Sequence, residues 1–368
     1  MLNRYLTNVG IAMIFGVSAL TAGGTGPFVV NVPVPAGDRW MYPSNSTPGL
    51  RTTASTFSFL PFTGVDDRFA QFIIKFDTVA AGIPAGLGVD HYEIHQLVLT
   101  AVYSSADSLP YDATEDPRAS LGGSSSIPDS DPGRPLELHG TGFRGGFNAA
   151  TFQENSPFGM RNAYANGFDS GGVARDVSNS VSLGFDSHPW AIGAVEILAN
   201  PEAVPKEYVP LAVGAIIPVY ARVSFQINLA LPGVADYVRQ GLNQGFLWFT
   251  LSSFHPVDGQ DGVGFPAYFT RDHPEQTLFQ DVAPSLDAEY SLPIRITEFK
   301  RDSTAKTVSL KWNGSPGFQY IVERSDDLVA GSWLPAETVT TTTPTALMWS
   351  GESPSDRSFF RVSRSPIP

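Results

Sequence analysis

His91, Glu93 and His95 are spaced two apart, so in an extended chain all three project to one side, a spacing that suits a metal ion. The same parity runs on through Leu97, Leu99 and Ala101, which would carry the histidines towards a core instead. His188, His255 and His273 each precede a proline, with Asp186, Asp258 and Asp272 close by. A histidine beside a carboxylate can act as a general base, but a residue before proline is biased to extended geometry and equally suits a structural loop. Gly140, Gly142 and Gly145 match G-x-G-x-x-G, yet no helix-forming run follows, so the match reads as a Gly-rich turn. The chain has no G-x-S-x-G, H-E-x-x-H or P-loop motif. A glycosidase needs two carboxylates about 5 to 10 Å apart, and 36 acidic residues offer no way to choose the pair.

Two patterns point to binding. Asp258 and Asp261, in Asp-Gly-Gln-Asp-Gly, form an oxygen-rich turn of the kind that holds Ca²⁺ in β-sandwiches, as does the turn Asp129-Ser-Asp131. Neither has EF-hand spacing; the cation reading makes Asp258 and Asp261 ligands of a structural Ca²⁺, and the alternative is a solvated turn. Phe246 and Trp248 alternate with Leu247, Phe249 and Leu251. If the second set faces the core, the first lies on the outer face of its sheet. With Tyr220 and Arg222 beside them, these rings would offer a platform to the apolar face of a sugar, and Arg and Tyr would bond its hydroxyls. The alternative is that one of the irregular stretches, 104–135 or 140–218, covers that face and makes the rings core.

The elements that must position these residues are strands. Val219, Ala221, Val223, Phe225, Ile227 and Leu229 alternate with polar or amphipathic neighbours, a strand with one dry face. Pro232 and Gly233 stop it, and Val234, Tyr237, Val238, Gly241 and Leu242 return at helical spacing. Gly245 ends that helix, and an aromatic strand resumes over 246–251. Residues 54–62, 69–78 and 94–103 read as further strands. Aromatics make up 12% of the chain and charged residues 16%, with 35 Gly and 30 Pro spread along it. That profile belongs to short strands joined by turns, an all-β protein.

The run Gln226-Ile-Asn-Leu, then Gly233-Val-Ala-Asp-Tyr-Val-Arg-Gln-Gly-Leu-Asn-Gln-Gly-Phe-Leu-Trp-Phe, resembles the late signature of DNRLRE-type jelly-roll modules. Ala70-Gln-Phe-Ile-Ile-Lys-Phe-Asp, Ile83-Pro-Ala-Gly and Ile94-His-Gln-Leu-Val-Leu-Thr-Ala resemble the earlier one. The resemblance covers residues 54–255 and implies a secreted β-sandwich of the kind found beside polysaccharide-active enzymes and on cell surfaces. A second unit begins near Leu292. Val308-Ser-Leu-Lys-Trp, Phe318-Gln-Tyr-Ile-Val-Glu-Arg-Ser, Trp333 and Phe359-Phe-Arg-Val resemble the fibronectin type III-like C-terminal modules of secreted bacterial proteins. That resemblance implies a spacer or attachment role.

Residues 1–22 read as a secretory signal, with Arg4 before a short apolar run over 9–20 and Leu20-Thr21-Ala22 as the cleavage site. An uncleaved anchor is the alternative, though the run is short for a span, and no later segment is long and apolar enough to cross a bilayer. A net charge of −13 argues against nucleic acid and anionic membranes as partners. The absence of cysteine excludes disulfides, thiolate metal sites and a Cys nucleophile.

The expected architecture is a signal (1–22), a leader and linker (23–53), a jelly-roll β-sandwich (54–288) and a small fibronectin- or immunoglobulin-like β-sandwich (289–368). The expected function is non-catalytic binding of an extracellular carbohydrate. The second reading is a surface or matrix subunit whose partners are other copies or other surface proteins, and the third a polysaccharide hydrolase or lyase.

Overall fold

The computed structural model describes residues 27–366 apart from 61–63, 107–108, 122–129, 170, 201–205, 258–263, 280, 315–317, 328, 330, 343–344 and 354–357. The expected signal at 1–22 and the expected Ca²⁺ ligands Asp258 and Asp261 lie outside the described residues. The chain divides into two compact units. One comprises residues 29–83 and 94–289; the other gathers Phe28, residues 84–93 and residues from 290 onward.

The larger unit runs β1 (Phe28–Val32), β2 (Gly37–Met41), the short β3 (Thr53–Ser55) and β4 (Phe57–Ser58), β5 (Arg68–Asp77), β6 (Glu93–Val102), β7 (Leu136–Phe143), β8 (Ala163–Phe168) and β9 (Ala174–Asp176). It continues with β10 (Ala191–Ile192), β11 (Ala194–Leu198), β12 (Tyr208–Pro210), β13 (Arg222–Gln226), α1 (Val234–Gln244), β14 (Phe246–Ser253), β15 (Ala267–Phe269), α2 (Pro274–Phe279) and β16 (Ser285–Ser291). One sheet has the order β1-β16-β6-β13-β11-β12, and the other β2-β5-β14-β7-β8-β9. Four strands of each sheet, β1-β16-β6-β13 in the first and β5-β14-β7-β8 in the second, stand in jelly-roll order.

Alternation explains the core. Leu247, Phe249 and Leu251 of β14 stand opposite Phe76, Ile74 and Phe72 of β5. All six are buried and share one face, and Leu99, Ala101, Val223 and Phe225 from the other sheet are buried as well. In α1, Val234, Val238 and Leu242 supply a buried stripe at every fourth position. Gly245 ends the helix at φ +91°, its N–H donated back to Gly241 and Leu242, a left-handed cap that only glycine adopts without strain.

The structure corrects several expectations. The strand expected over 219–229 is confined to Arg222–Gln226. Tyr220 is a non-glycine residue at φ +69°, and Ala221 donates to Pro218 O, so the chain turns before the ladder starts. Residues 23–53, read as a leader and linker, hold two strands, β1 and β2, and the stretch before Leu292 holds β16, with Leu286, Ala288 and Tyr290 buried in alternation. Gly140 and Gly142 are strand residues of β7, not a turn. A Cβ on Gly140 would meet Trp190 at 2.1 Å, so the glycine makes room for an indole rather than a phosphate.

The smaller unit holds β17 (Ile296–Asp302), β18 (Thr307–Gly314), β19 (Phe318–Ser325), β20 (Leu334–Thr340), β21 (Thr345–Glu352) and β22 (Phe359–Pro366). They form two three-stranded sheets, β17-β18-β21 and β20-β19-β22, the order of a fibronectin-like sandwich. Val308, Leu310, Trp312, Tyr320, Val322, Trp349 and Phe360 make its core. Residues 84–93 belong to this unit: Asn313 Nδ2 donates to Leu87 O at 2.9 Å and lies 2.7 Å from His91 Nε2. His91 is therefore a buried residue held by an amide, and among the described residues no group of three or more His, Asp or Glu side chains could hold a metal. No helix among the described residues is long and apolar enough to cross a membrane.

Candidate functional site

The outer face of sheet β2-β5-β14-β7-β8 has an apolar end and a polar end. At the apolar end the sugar platform fails. Trp248 is 3% exposed, enclosed with Met41, Ile73, Phe152 and Ala163. Its ring lies 5.4 Å from Phe143 and 5.7 Å from Phe152, and its Nε1 donates to Ala149 O at 3.0 Å. Phe246 beside it is half-buried, with the Lys75 ammonium 4.9 Å from its ring. The stretch around 143–152 packs over the face, so Trp248 is core.

Tyr220 and Arg222 are not beside these rings at all, because β13 and β14 belong to different sheets. Tyr220 is half exposed, stacks on Phe269 at 5.2 Å, and donates its hydroxyl to Glu275 at 2.8 Å. The Arg222 guanidinium lies 3.9 Å over the Tyr208 ring. The four residues thus make no common site.

The polar end carries a half-open cleft of about 370 Å³. Its floor is the buried pair Arg68–Glu137, joined at 2.7 Å and 3.1 Å, with Phe254 beneath the guanidinium at 3.9 Å. Its walls are Glu115, Asp116 and Arg118 on one side and Phe185, Asp186 and His188 on the other. Nearly every charge is matched. Asp116 meets Arg134 at 2.6 Å, His188 Nδ1 meets Glu115 at 2.8 Å, and Arg118 stands 3.5 Å from Asp186. Burial would push the Glu137 carboxyl up, but the Arg68 charge and hydrogen bonds from His139 and Arg68 hold it well below the usual carboxylate range. Ser252 Oγ also donates to it at 3.0 Å. A paired, hydrogen-bonded carboxylate is the form in which a buried charge persists.

Known proteins supply no counterpart. No family model, curated protein or solved structure matches the chain. The jelly-roll and fibronectin resemblances therefore rest on the residues that carry them, and the cleft must be read from its own chemistry.

None of the cleft residues was marked by a motif. His188 was noted for its neighbour Asp186, but its partner is Glu115, 73 positions away. Arg68 and Glu137 are 69 positions apart. The one legible signal was an acidic, aperiodic stretch over 104–135, a loop length that commonly carries function. Even so, nothing in it named the other wall.

Two imidazoles lie behind the floor. His139 is fully buried and 3.5 Å from Glu137; His255 is buried, and neither of its ring nitrogens has a hydrogen-bond partner among the described residues. Burial drives both below the ordinary value of 6.5, and the Arg134 charge helps push His255 down to about 3. A folded value below the unfolded one means stability that is whole above pH 6.5 and lost as pH falls. By pH 4.5 the His255 contribution has fallen by about 2.7 kcal/mol. Urea unfolding of wild type and His255→Leu should show that difference opening between those two pH values; a pH-independent difference would mean His255 titrates normally.

Proposed function

We propose that the jelly-roll unit is a secreted, non-catalytic carbohydrate-binding module whose site is the cleft above Arg68 and Glu137. The observation that carries this reading is the lining itself: matched acids and bases, serine hydroxyls and the apolar surfaces of Phe185 and Leu121 around one cavity. A sugar offers vicinal hydroxyls that both donate and accept, and the exposed carboxylates of Glu115 and Asp186 and the Arg118 guanidinium supply both roles. The volume falls in the lower part of the range for small-ligand pockets, about 300–1,000 Å³. The smaller unit then serves as spacer or attachment.

Glycan-array binding of the full chain, followed by calorimetry on the best ligand, tests the reading. Phe185→Ala should weaken binding about tenfold, an apolar contact of about 1.4 kcal/mol, while Tyr220→Ala leaves it unchanged. The reverse pattern would move the site to the Tyr220 face, and no binding to any glycan removes the proposal. Product analysis on the same mixtures distinguishes binding from hydrolysis or lyase chemistry, since released sugars would make the protein an enzyme.

One feature favours the second reading, assembly. Edge strand β12 and the loop after it expose Val209, Val213, Ile216 and Val219, and a sheet edge with apolar side chains is a pairing surface. Light scattering that shows only monomer at high concentration would dismiss it.

A further inference from the structure

We infer that the smaller unit pairs with a second copy of itself through the open edge of β21, the two β21 strands running antiparallel about a two-fold axis at Met348. The inference is independent of the carbohydrate reading and makes the unit an assembly element rather than a spacer.

Its two three-stranded sheets end in β17, β21, β20 and β22. Three of these edges are blunted. β17 carries Glu298, Lys300, Arg301 and Asp302 and shifts register between Ile296 and Glu298. β20 carries Glu337 and Pro335, which has no N–H to offer. β22 carries Arg361, Arg364 and Pro366. Charges, prolines and bulges are the means by which an edge strand avoids pairing. From Thr345 to Gly351, β21 has none of them: the run is Thr-Ala-Leu-Met-Trp-Ser-Gly, and Glu352 follows only at its end. All eight residues stand in unbroken register with β18, so no bulge turns the open side away. Among the described residues nothing pairs with that side.

The occupant follows from charge and symmetry. Two copies of a chain with net charge −13 repel one another, so a self-contact belongs on a surface without charge. Residues directly opposite in an antiparallel pair either both exchange hydrogen bonds or both do not, so they share parity along the strand. Two identical strands related by a two-fold axis therefore set one residue opposite its own copy. Met348 is the middle of the uncharged run. With the axis there, Leu347 stands opposite Trp349, Ala346 opposite Ser350 and Thr345 opposite Gly351, and Glu352 stays outside the pairing. Like faces then adjoin, since Leu347 and Trp349 are buried while Ala346, Met348 and Ser350 are exposed. Met348 is 71% exposed beside Lys311, and one such side chain alone needs no partner. On a bare edge at the centre of a two-fold, it has one.

The test uses the full chain. A strand edge makes a small interface, so sedimentation from about 5 to 500 µM should show a reversible monomer–dimer equilibrium. Met348→Glu sets two carboxylates opposite each other at the axis and should weaken the dimer about tenfold or more. Within one chain the new carboxylate faces Lys311 on β18, so the variant should melt no lower than wild type. The chain has no cysteine, so Met348→Cys supplies a single thiol. Mild oxidation should link it to its own copy, because directly opposed strand residues lie within disulfide range. Lys300→Cys, exposed on β17, should stay unlinked under the same conditions. A chain that remains monomeric, a dimer that Met348→Glu leaves intact, or a dimer that Met348→Cys fails to link would each overturn the inference. Glycan binding by the cleft should be the same in all three variants, so the two readings stand or fall separately.

Discussion

Trp248→Ala should destabilise the jelly-roll unit by about 4 kcal/mol, the order for emptying a buried large aromatic site. The indole is enclosed by Met41, Ile73, Phe152 and Ala163, and Ala149 O would lose its donor. The cavity cannot collapse easily, because Phe143 and Phe152 sit on the segment entering and crossing the face, while Ile73 belongs to a central strand. Guanidinium unfolding followed by far-ultraviolet circular dichroism gives the number. Glycan binding below the transition should be unchanged, since the cleft lies at the other end of the face. A loss under about 1 kcal/mol accompanied by lost binding would restore Trp248 as an exposed platform.

That residue also shows what alternation can and cannot say. Period two in 246–251 separates Leu247, Phe249 and Leu251 from Phe246 and Trp248, and the structure keeps that separation. It says nothing about what lies over the second face. The cover comes from Phe143 at the end of β7 and from the stretch with no period after it, where Phe147, Ala149, Phe152 and Phe158 are spaced irregularly and pack from a turn-rich segment. Each looked like a loop residue because no ladder ordered it. Similarly, the strand–helix–strand reading around α1 was legible, since Gly233 and Gly245 punctuate it. That the helix carries the chain from one sheet to the other was not, because a crossover leaves no mark on spacing.

The cleft was invisible for a related reason. Glu115, Asp116 and Asp186 sit in aperiodic stretches, and their partners Arg134, Arg118 and His188 are chosen by the fold. Glu137 alone hinted at its role, as an acid at a strand position between Leu136 and Leu138, both buried. A charge in such a place demands a partner, but sequence cannot say that the partner is Arg68.

Asp38→Asn should change the pH dependence of stability by about as much as the tryptophan variant changes its level. Asp38 lies on β2, 2% exposed. Burial pushes its carboxyl up to about 7; Arg271 N–H, which it accepts at 2.7 Å, opposes that, while the Asp272 and Glu154 charges add to it. The folded value lies above the unfolded 3.8, so the folded chain holds this proton more tightly. The contribution is whole below pH 3.8 and is lost as pH rises to 7, a loss of about 4 kcal/mol over that span. Asparagine keeps an oxygen for the Arg271 N–H and never ionises. The variant should therefore gain on wild type steadily from pH 3.8 to 7 and hold its advantage above it. This runs opposite to the histidine effect, so the readout is the difference between Asp38→Asn and wild type, which cancels His139 and His255. A flat difference would mean that Arg271 keeps Asp38 ionised. Arg271 also meets Glu154 at 2.8 Å, and Glu154 belongs to the segment that covers Trp248. Asp38 takes the Arg271 backbone N–H and Glu154 its Nη2, so a carboxylate forming at Asp38 displaces neither bond and acts on Glu154 only as a second negative charge close by.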